Sequence, residues 1–122
     1  MTFFALAILV AWLGPGAPEV REMNVSAYCP CSKCCGRWSD GITASGKPVT
    51  TNGGRFVAAP RSLGLGVLVA VPGYADGRPV PVLDRGGAIK GDKLDLFYPT
   101  HAEALQWGRQ TLWVTVWAKV EE

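Results

Sequence analysis

The segment DRGGAIKGDKLDLFY, from Asp84 to Tyr98, places two carboxylates eleven residues apart with a Gly-Gly turn between them. The second, Asp95, lies in a short apolar run that is typical of a strand. An apolar setting removes hydration from an ionised acid, so we expect a raised pKa at Asp95, as a general acid near neutral pH requires. A second acid nearby would separate the two titrations further. The alternative is that both aspartates only cap turns at strand ends, a common role for Asp beside Gly.

Short strands and turns are predicted on both sides of this segment. Thr100 and Glu103 match a capping box, which predicts a helix of about two turns that stops at Gly108. The last strand alternates. One face carries Leu112, Val114, Val116, Ala118 and Val120, and the other carries Trp113, Thr115, Trp117 and Lys119. Residues 36–54 predict a long loop. The predicted strands cover residues 24–28, 56–59, 66–71, 78–83, 93–97 and 111–120.

The composition favours one compact domain built mainly of strands. The chain has 122 residues, of which 48% are apolar. Its 15 glycines and 9 prolines favour many short strands over long helices. Six short strands with one or two short helices therefore predict a mainly β fold, a small closed barrel. A net charge of only +2, without a Lys/Arg run, argues against nucleic acid as a partner.

The N-terminus carries an apolar run over residues 3–13. Eleven residues are too few for a membrane-spanning helix, but they fit the apolar part of a secretory signal peptide. No Lys or Arg precedes the run, so a first strand or a short membrane anchor stays an alternative. Residues 14–22 then predict a linker, and residues 23–122 the folded domain. We expect an exported chain, periplasmic, in the cell wall or extracellular, with tethering through residues 3–13 as the alternative.

All four cysteines fall within seven residues: Cys29, Cys31, Cys34 and Cys35. In an exported chain an even count favours disulfides, either 29–34 with 31–35 or 29–35 with 31–34. A metal held by the four thiolates is the alternative, although zinc sites usually take a second, distant ligand pair. The only histidine, His101, is far away in sequence and is expected at the surface. We therefore expect neither a cysteine nucleophile nor any cofactor outside this cluster.

Three stretches resemble one known family. The segments YCPCSKCCGRWSDGITASG (Tyr28 to Gly46) and VLDRGGAIKGDKLDLFYPTHAEALQWG (Val82 to Gly108), with the terminal strand, resemble the 3D domain, named for three aspartates. This family is similar to the catalytic barrel of membrane-bound lytic transglycosylase A and to cell-wall proteins related to resuscitation-promoting factors. The resemblance implies a six-stranded double-psi β-barrel, the fold of barwin-like and expansin-like domains.

The resemblance also implies an activity. Asp95 matches the family's catalytic acid/base, and Asp84 matches the acid that lies beside it and supports it. The implied reaction is lytic cleavage of the β-1,4 bond between N-acetylmuramic acid and N-acetylglucosamine in peptidoglycan. The family's third aspartate is replaced here by Ala59. This departure keeps open an alternative, a non-catalytic, expansin-like barrel that only binds peptidoglycan or another polysaccharide.

Candidate substrate contacts follow from the chemistry of sugars. Sugars stack on aromatic faces, which suggests Trp38, Trp107, Phe97 and Tyr98, although a tryptophan in a small barrel is often part of the core.

Polar contacts are expected from four residues: Asp40, Thr43, Ser45 and Lys90. The hydroxyls could bond sugar hydroxyls or only cap their loop, and the lysine could pair with a cleft acid or a muramoyl carboxylate. We expect peptidoglycan glycan strands as the partner, no integral membrane partner, and a monomer.

Overall fold

The computed structural model describes residues 17–31 and 41–117, which form a six-stranded closed barrel with one α-helix. The strands close in the order β1-β5-β2-β4-β3-β6. Two short 3-10 turns lie at Thr51–Gly54 and Ala75–Gly77. The regular elements are β1 (Pro18–Tyr28), β2 (Val57–Ala58), β3 (Leu68–Ala70), β4 (Val80–Asp84), β5 (Lys93–Phe97), α1 (His101–Trp107) and β6 (Gln110–Trp117).

Two of the six strand pairs in this barrel are parallel and four are antiparallel. β1 pairs with β5 and β2 pairs with β4 in parallel, whereas the other neighbours are antiparallel. The eleven residues of β1 serve two partners: its first part pairs with β6, from Pro18 opposite Trp117, and its last part with β5, up to Tyr28 opposite Phe97. The two partners overlap only near the middle of β1. This strand therefore lies between β5 and β6 and closes the barrel.

The start of β1 corrects one expectation. Residues 14–22 were predicted to be a linker, but residues 18–22 are strand and pair with β6. The proline and charged residues there suggested a loop, and pairing with β6 overrides that local preference. The expected apolar leader at residues 3–13 lies outside the described residues. Within the part of the chain that is described, no helix is long and apolar enough to cross a membrane.

The other strands lie where they were predicted, and most of them differ from the prediction at their ends. β5 has the predicted bounds, whereas β2 and β3 are shorter than predicted. Turn hydrogen bonds occupy the flanks of β3, for example from the Val67 amide to the Gly64 carbonyl. A register shift between Val57 and Ala58 limits β2 to two residues.

Alternation along the strands builds the core. Val25, Leu94, Leu96 and Val114 have no exposed surface and face one another inside the barrel. On β6, Trp113 is 61% exposed while Val114 is buried, which confirms the alternation predicted for the described part of this strand. Most of the buried apolar residues thus form one cluster inside the barrel, and the residues that alternate with them face outward.

A second, smaller cluster lies outside the barrel interior. Phe56, Leu83 and Phe97 form it, and Tyr28 and Val49 pack against it. The rings of Phe56 and Phe97 stack with centroids 4.5 Å apart.

Tyr74 ties the backbone of this region together. Its buried hydroxyl donates to the Phe97 carbonyl oxygen at 2.7 Å and accepts from the Phe56 amide at 3.1 Å. Burial raises the pKa of Tyr74, so this hydroxyl keeps its proton. The start of β2 and the end of β5 are therefore held at a fixed separation.

Helix α1 begins as predicted. The Thr100 hydroxyl accepts from the Glu103 amide at 3.2 Å and donates to the Glu103 carboxylate at 2.8 Å. The carboxylate thus bonds the threonine hydroxyl, whereas a standard capping box directs it to the backbone amide. The helix ends before Gly108, whose φ of 68° suits a glycine.

Candidate active site

The two aspartates lie in one row of paired residues across four neighbouring strands. Ser26 on β1 is opposite Asp95 on β5, and Ala58 on β2 is opposite both Asp95 and Asp84 on β4. Adjacent strands lie about 4.8 Å apart, so the two acids project from backbones about 10 Å apart. Ala58, which lies between them, is buried. The fold therefore brings together the two carboxylates predicted from sequence to act as a pair.

Asp95 is half-buried and accepts a hydrogen bond from the Ser26 hydroxyl at 3.2 Å. Its pKa is raised from 3.8 to about 6, chiefly because burial removes water from the charged form. The negative charge of Asp84 raises this pKa further, whereas the Ser26 hydrogen bond and the charge of Arg109 oppose the rise. A carboxyl with this pKa is partly protonated in mildly acidic solution, as a general acid must be.

Asp84 is fixed by three donors. The Tyr28 hydroxyl donates at 2.6 Å, and the backbone amides of Ala44 and Arg85 donate at 2.8 and 3.0 Å. The Asp84 oxygens accept all three bonds, which fix the orientation of this side chain. The arrangement gives the two aspartates different surroundings: one is desolvated, and the other is held by hydrogen bonds.

Ser26 and Tyr28 are functional neighbours that sequence reasoning missed. They are two residues apart on β1 and so share one face of that strand. Each donates to one of the two acids. The predicted strand over residues 24–28 already placed them on one face, but only the barrel closure shows which acids that face meets.

The loop before β2 supplies one wall of the site. Thr43 is only 4% exposed, and its hydroxyl donates to the Lys47 carbonyl oxygen at 2.9 Å. It also bonds the Ser45 hydroxyl at 2.7 Å, while the Ser45 amide donates to the Leu83 carbonyl at 2.9 Å. These bonds hold the loop against β4 and aim the Ala44 amide at Asp84. Direct sugar contacts by Thr43 and Ser45 stay predictions.

A groove of about 510 Å³ adjoins the Asp84 end of this row. Lys90, predicted from sequence, lies in its wall together with Arg61 and Arg85, which were not predicted. Three cations in one groove favour an anionic ligand group. The other lining residues are small or apolar: Ala59, Pro60, Ser62, Gly86, Gly87, Ile89 and Gly91.

Ala59, which was expected to replace the family's third aspartate, is fully buried. Its amide donates to the Asp84 carbonyl oxygen at 3.1 Å, so it supports the backbone of the site.

The aromatic candidates differ in availability. Phe97 is 2% exposed, so its selection as a sugar-stacking residue was wrong: it fills the second cluster. Trp107 packs against the core, and its indole N–H donates to the Val25 carbonyl oxygen at 3.0 Å. Tyr98 lies half-buried beside it, with ring centroids 6.4 Å apart. Sugar contacts by Trp107 and Tyr98 stay predictions. Trp38 and Asp40 lie outside the described residues.

His101 was misjudged from sequence. It was expected to be a surface residue remote from the cysteines, but its Nδ1 lies 3.6 Å from Cys29 Sγ and 3.5 Å from Cys31 Sγ. Sequence separation concealed this because α1 begins directly after β5, which is the parallel neighbour of the strand that ends before Cys29. Cys34 and Cys35 lie outside the described residues, so the predicted disulfide pairings stay predictions.

The fold and the site define a small closed β-barrel with a paired-aspartate centre. The chain belongs to the 3D domain family, which its residues 55–118 match. Two proteins of Bacillus subtilis are similar to it. YabE, to which a role in cell wall shaping is ascribed, is 32% identical over 99 residues, and the cell wall-binding protein YocH is 40% identical over 78 residues.

These matches cover 80% and 62% of this chain, respectively, but only 23% of YabE and 26% of YocH, so the chain spans about a quarter of each relative. Among solved structures, the Streptomyces papain inhibitor superposes with a TM-score of 0.55 at 20% identity, over 83% of this chain and 96% of that one. This similarity confirms the double-psi β-barrel fold. MltA from E. coli superposes with a TM-score of 0.49 at 29% identity, over 65% of this chain and 28% of that one.

Proposed function

We propose that this chain binds peptidoglycan glycan strands and cleaves their β-1,4 bond between N-acetylmuramic acid and N-acetylglucosamine as a lytic transglycosylase. Asp95 is the general acid and base. The observation that carries the proposal is the raised pKa of Asp95, about 6, beside a second, hydrogen-bonded aspartate in a 3D domain. The cell wall roles in the names of YabE and YocH support the substrate class. This function requires an exported chain.

One carboxyl group suffices for the proposed chemistry. Protonated Asp95 gives its proton to the bridging oxygen as the C1–O bond of the muramoyl residue breaks. The resulting carboxylate takes the proton of the muramoyl C6 hydroxyl while that oxygen bonds C1, which closes a 1,6-anhydro ring. The acid is protonated again at the end, and no water enters the reaction.

Asp84 and Ser26 support this cycle. The negative charge of Asp84 favours the protonated form of Asp95 in the resting site and stabilises the positive charge that develops at C1. The Ser26 hydroxyl lies 3.2 Å from Asp95 and 3.4 Å from the Leu94 carbonyl oxygen. Its single proton can therefore turn to the Leu94 oxygen when Asp95 is protonated and back to the carboxylate after proton transfer.

The cationic groove supports an anionic glycan as the substrate. Arg61, Arg85 and Lys90 line one groove next to Asp84. Peptidoglycan carries carboxylates on its peptide stems, whereas neutral polysaccharides such as cellulose do not. The charge of the groove thus favours peptidoglycan among β-1,4-linked glycans.

A second candidate is a wall-binding barrel without catalysis. It is favoured by Ala59, which removes one family acid from the site. The name of YocH, a cell wall-binding protein, is compatible with it. In that case the aspartates orient the glycan through hydrogen bonds alone.

Digestion of purified glycan strands separates the two candidates. We expect 1,6-anhydro-muramoyl ends by mass spectrometry after incubation with the protein. New reducing ends without anhydro ends would indicate a hydrolase instead. Strands that bind but stay intact would reject the enzyme and support the binding barrel.

Asp95→Asn tests the assignment of the acid. We expect cleavage to fall by about 10²–10⁴-fold, the usual contribution of a general acid or base. Asp92→Asn is the matched control, because Asp92 is exposed and lies three residues away, directly before β5. Undiminished cleavage by the Asp95 variant would remove this residue from the mechanism.

A further inference from the structure

A cluster of metal-ligating atoms lies apart from the two aspartates. The sulfurs of Cys29 and Cys31 and the Nδ1 of His101 all lie within 4.8 Å of one another. Among residues 17–31 and 41–117, this is the one such group with three candidate ligands. Cys29 is buried, and Cys31 and His101 are half-buried, so the cluster is partly shielded from water.

The barrel itself brings these atoms together. Cys29 directly follows β1, and His101 is the first residue of α1 after β5. β1 and β5 are parallel neighbours, and the Tyr98 amide donates to the Tyr28 carbonyl oxygen at 2.9 Å beyond their last pair. The two chain segments therefore leave the sheet side by side. The Cys–His proximity is a consequence of strand register and not of one flexible side chain.

We propose that Cys29, Cys31 and His101 bind one Zn²⁺ ion. In a tetrahedral site, with bonds of about 2.3 Å to sulfur and about 2.0–2.1 Å to nitrogen, a sulfur and a nitrogen ligand lie about 3.6 Å apart. The two sulfur–nitrogen distances here are 3.6 and 3.5 Å. Two thiolates and an imidazole also suit the borderline-soft character of zinc better than that of Mg²⁺ or Ca²⁺.

The two sulfurs need a small adjustment. They lie 2.8 Å apart, whereas two sulfur ligands of a tetrahedral zinc lie about 3.8 Å apart. Cys31 is only half-buried, whereas Cys29 is buried, so an outward rotation of the Cys31 side chain is the adjustment that supplies the missing distance of about 1 Å. Each thiol releases its proton to solvent when it binds, and the two thiolate charges balance the charge of the ion.

A bound zinc would join the end of β1 to the start of α1. It would also fix the residue before Cys29, Tyr28, which donates to Asp84. The proposed zinc thus acts on the aspartate site only through the position of Tyr28.

The test uses the full chain, reduced with a phosphine under anaerobic conditions and titrated with ZnCl₂. Native mass spectrometry should show one zinc per chain, and the midpoint of thermal unfolding should rise with zinc. Cys31→Ser and His101→Gln should each weaken zinc binding by at least about tenfold, since even loss of an outer-shell partner costs 10–100-fold. Glu103→Gln is the control: it removes a neighbouring carboxylate on α1, keeps an acceptor for Thr100, and should bind zinc as the unaltered chain does.

Co²⁺ in place of Zn²⁺ gives a readout that does not depend on stability. The unaltered chain should develop the thiolate-to-cobalt charge-transfer absorption and the visible bands of a tetrahedral site, and the Cys31→Ser spectrum should lose intensity in the charge-transfer region. Circular dichroism confirms that each variant is folded. Absence of stoichiometric zinc in the folded, reduced chain would overturn the proposal, as would unchanged affinity in both ligand variants. Peptide mapping that finds Cys29 or Cys31 in a disulfide in the exported chain would overturn it as well.

Discussion

The pKa of Asp95 is raised for a reason that the residues next to it in sequence only partly reveal. The apolar residues beside it, Leu94 and Leu96, point into the barrel and are fully buried. Asp95 alternates to the opposite face, where it sits between Ser26 and Ala58 on the adjacent strands. The carboxyl group thus lies beside its cross-strand neighbours rather than among the flanking leucines, and its burial there raises the pKa.

The raised pKa of Asp95 predicts a pH-dependent cost to stability. The folded chain holds this proton up to about pH 6, whereas the unfolded chain loses it near 3.8, so stability falls as the pH rises through that window. Asp95→Asn should therefore raise the free energy of unfolding at pH 7 by up to about 3 kcal/mol, with little change at pH 3.5. Urea unfolding at both pH values measures this. Asp92→Asn should change stability little at either pH, and equal effects of the two variants would contradict the prediction.

Asp84 should tune the pH dependence of cleavage. Its negative charge is one of the causes that raise the pKa of Asp95, after burial. In Asp84→Asn the remaining acid should ionise more easily, so the loss of activity at rising pH should begin at a lower pH. Initial rates on glycan strands across pH 4–8 measure the pH at which activity begins to fall. Lys90→Gln is a control for the loss of a charge farther along the groove. If the loss of activity in Asp84→Asn began at a higher pH, that result would refute the electrostatic role of Asp84.

At the scale of elements, parallel register connects the two sites of this molecule. The β1–β5 pair aligns Ser26 with Asp95, and the same pair ends where Cys29 and the segment before α1 leave the sheet. The β2–β4 pair places Asp84 opposite Ala58, after the register shift that follows Val57. Asp84 is the last residue of β4, and Cys29 directly follows β1. Both parallel pairs therefore have functional side chains at or directly after their carboxyl ends.

Helix α1 depends on its cap. Thr100→Ala should lower the free energy of unfolding by about 0.5–2 kcal/mol, because the Glu103 amide loses its partner. Thr50→Ala is a matched control, since Thr50 precedes a 3-10 turn without a side-chain capping bond. Chemical denaturation of both variants measures the difference. An equal effect at the two positions would mean that the capping bond contributes nothing.

At the scale of the whole molecule, the pairing of β1 with β6 decides where the domain begins. Eight residues of β1, from Pro18 to Val25, pair with β6. The first five of them precede the boundary at residue 23 that the sequence suggested. Without them, the first half of β1 is missing and most of β6 loses its partner on that side.

Two truncated chains test this boundary. Residues 17–122 should fold as the full chain does, whereas residues 23–122 should lose at least about 3 kcal/mol of stability, since each lost ladder hydrogen bond contributes about 1 kcal/mol. Thermal and urea unfolding of the two chains give the comparison. Equal stability would show that the β1–β6 pairing ahead of Met23 is dispensable.

The linear pattern of residues determined the local features of this protein. Alternation defined the strands, the Thr100–Glu103 pair defined the start of α1, and the spacing of Asp84 and Asp95 pointed to the site, because each signal acts over a few residues. The family resemblance then supplied the barrel topology. Tertiary structure alone decided that β1 begins at Pro18, that Ser26 and Tyr28 serve the two acids, and that His101 meets the cysteines. These contacts join residues 56 to 72 positions apart, and strand register fixes them through pairing that no local pattern encodes.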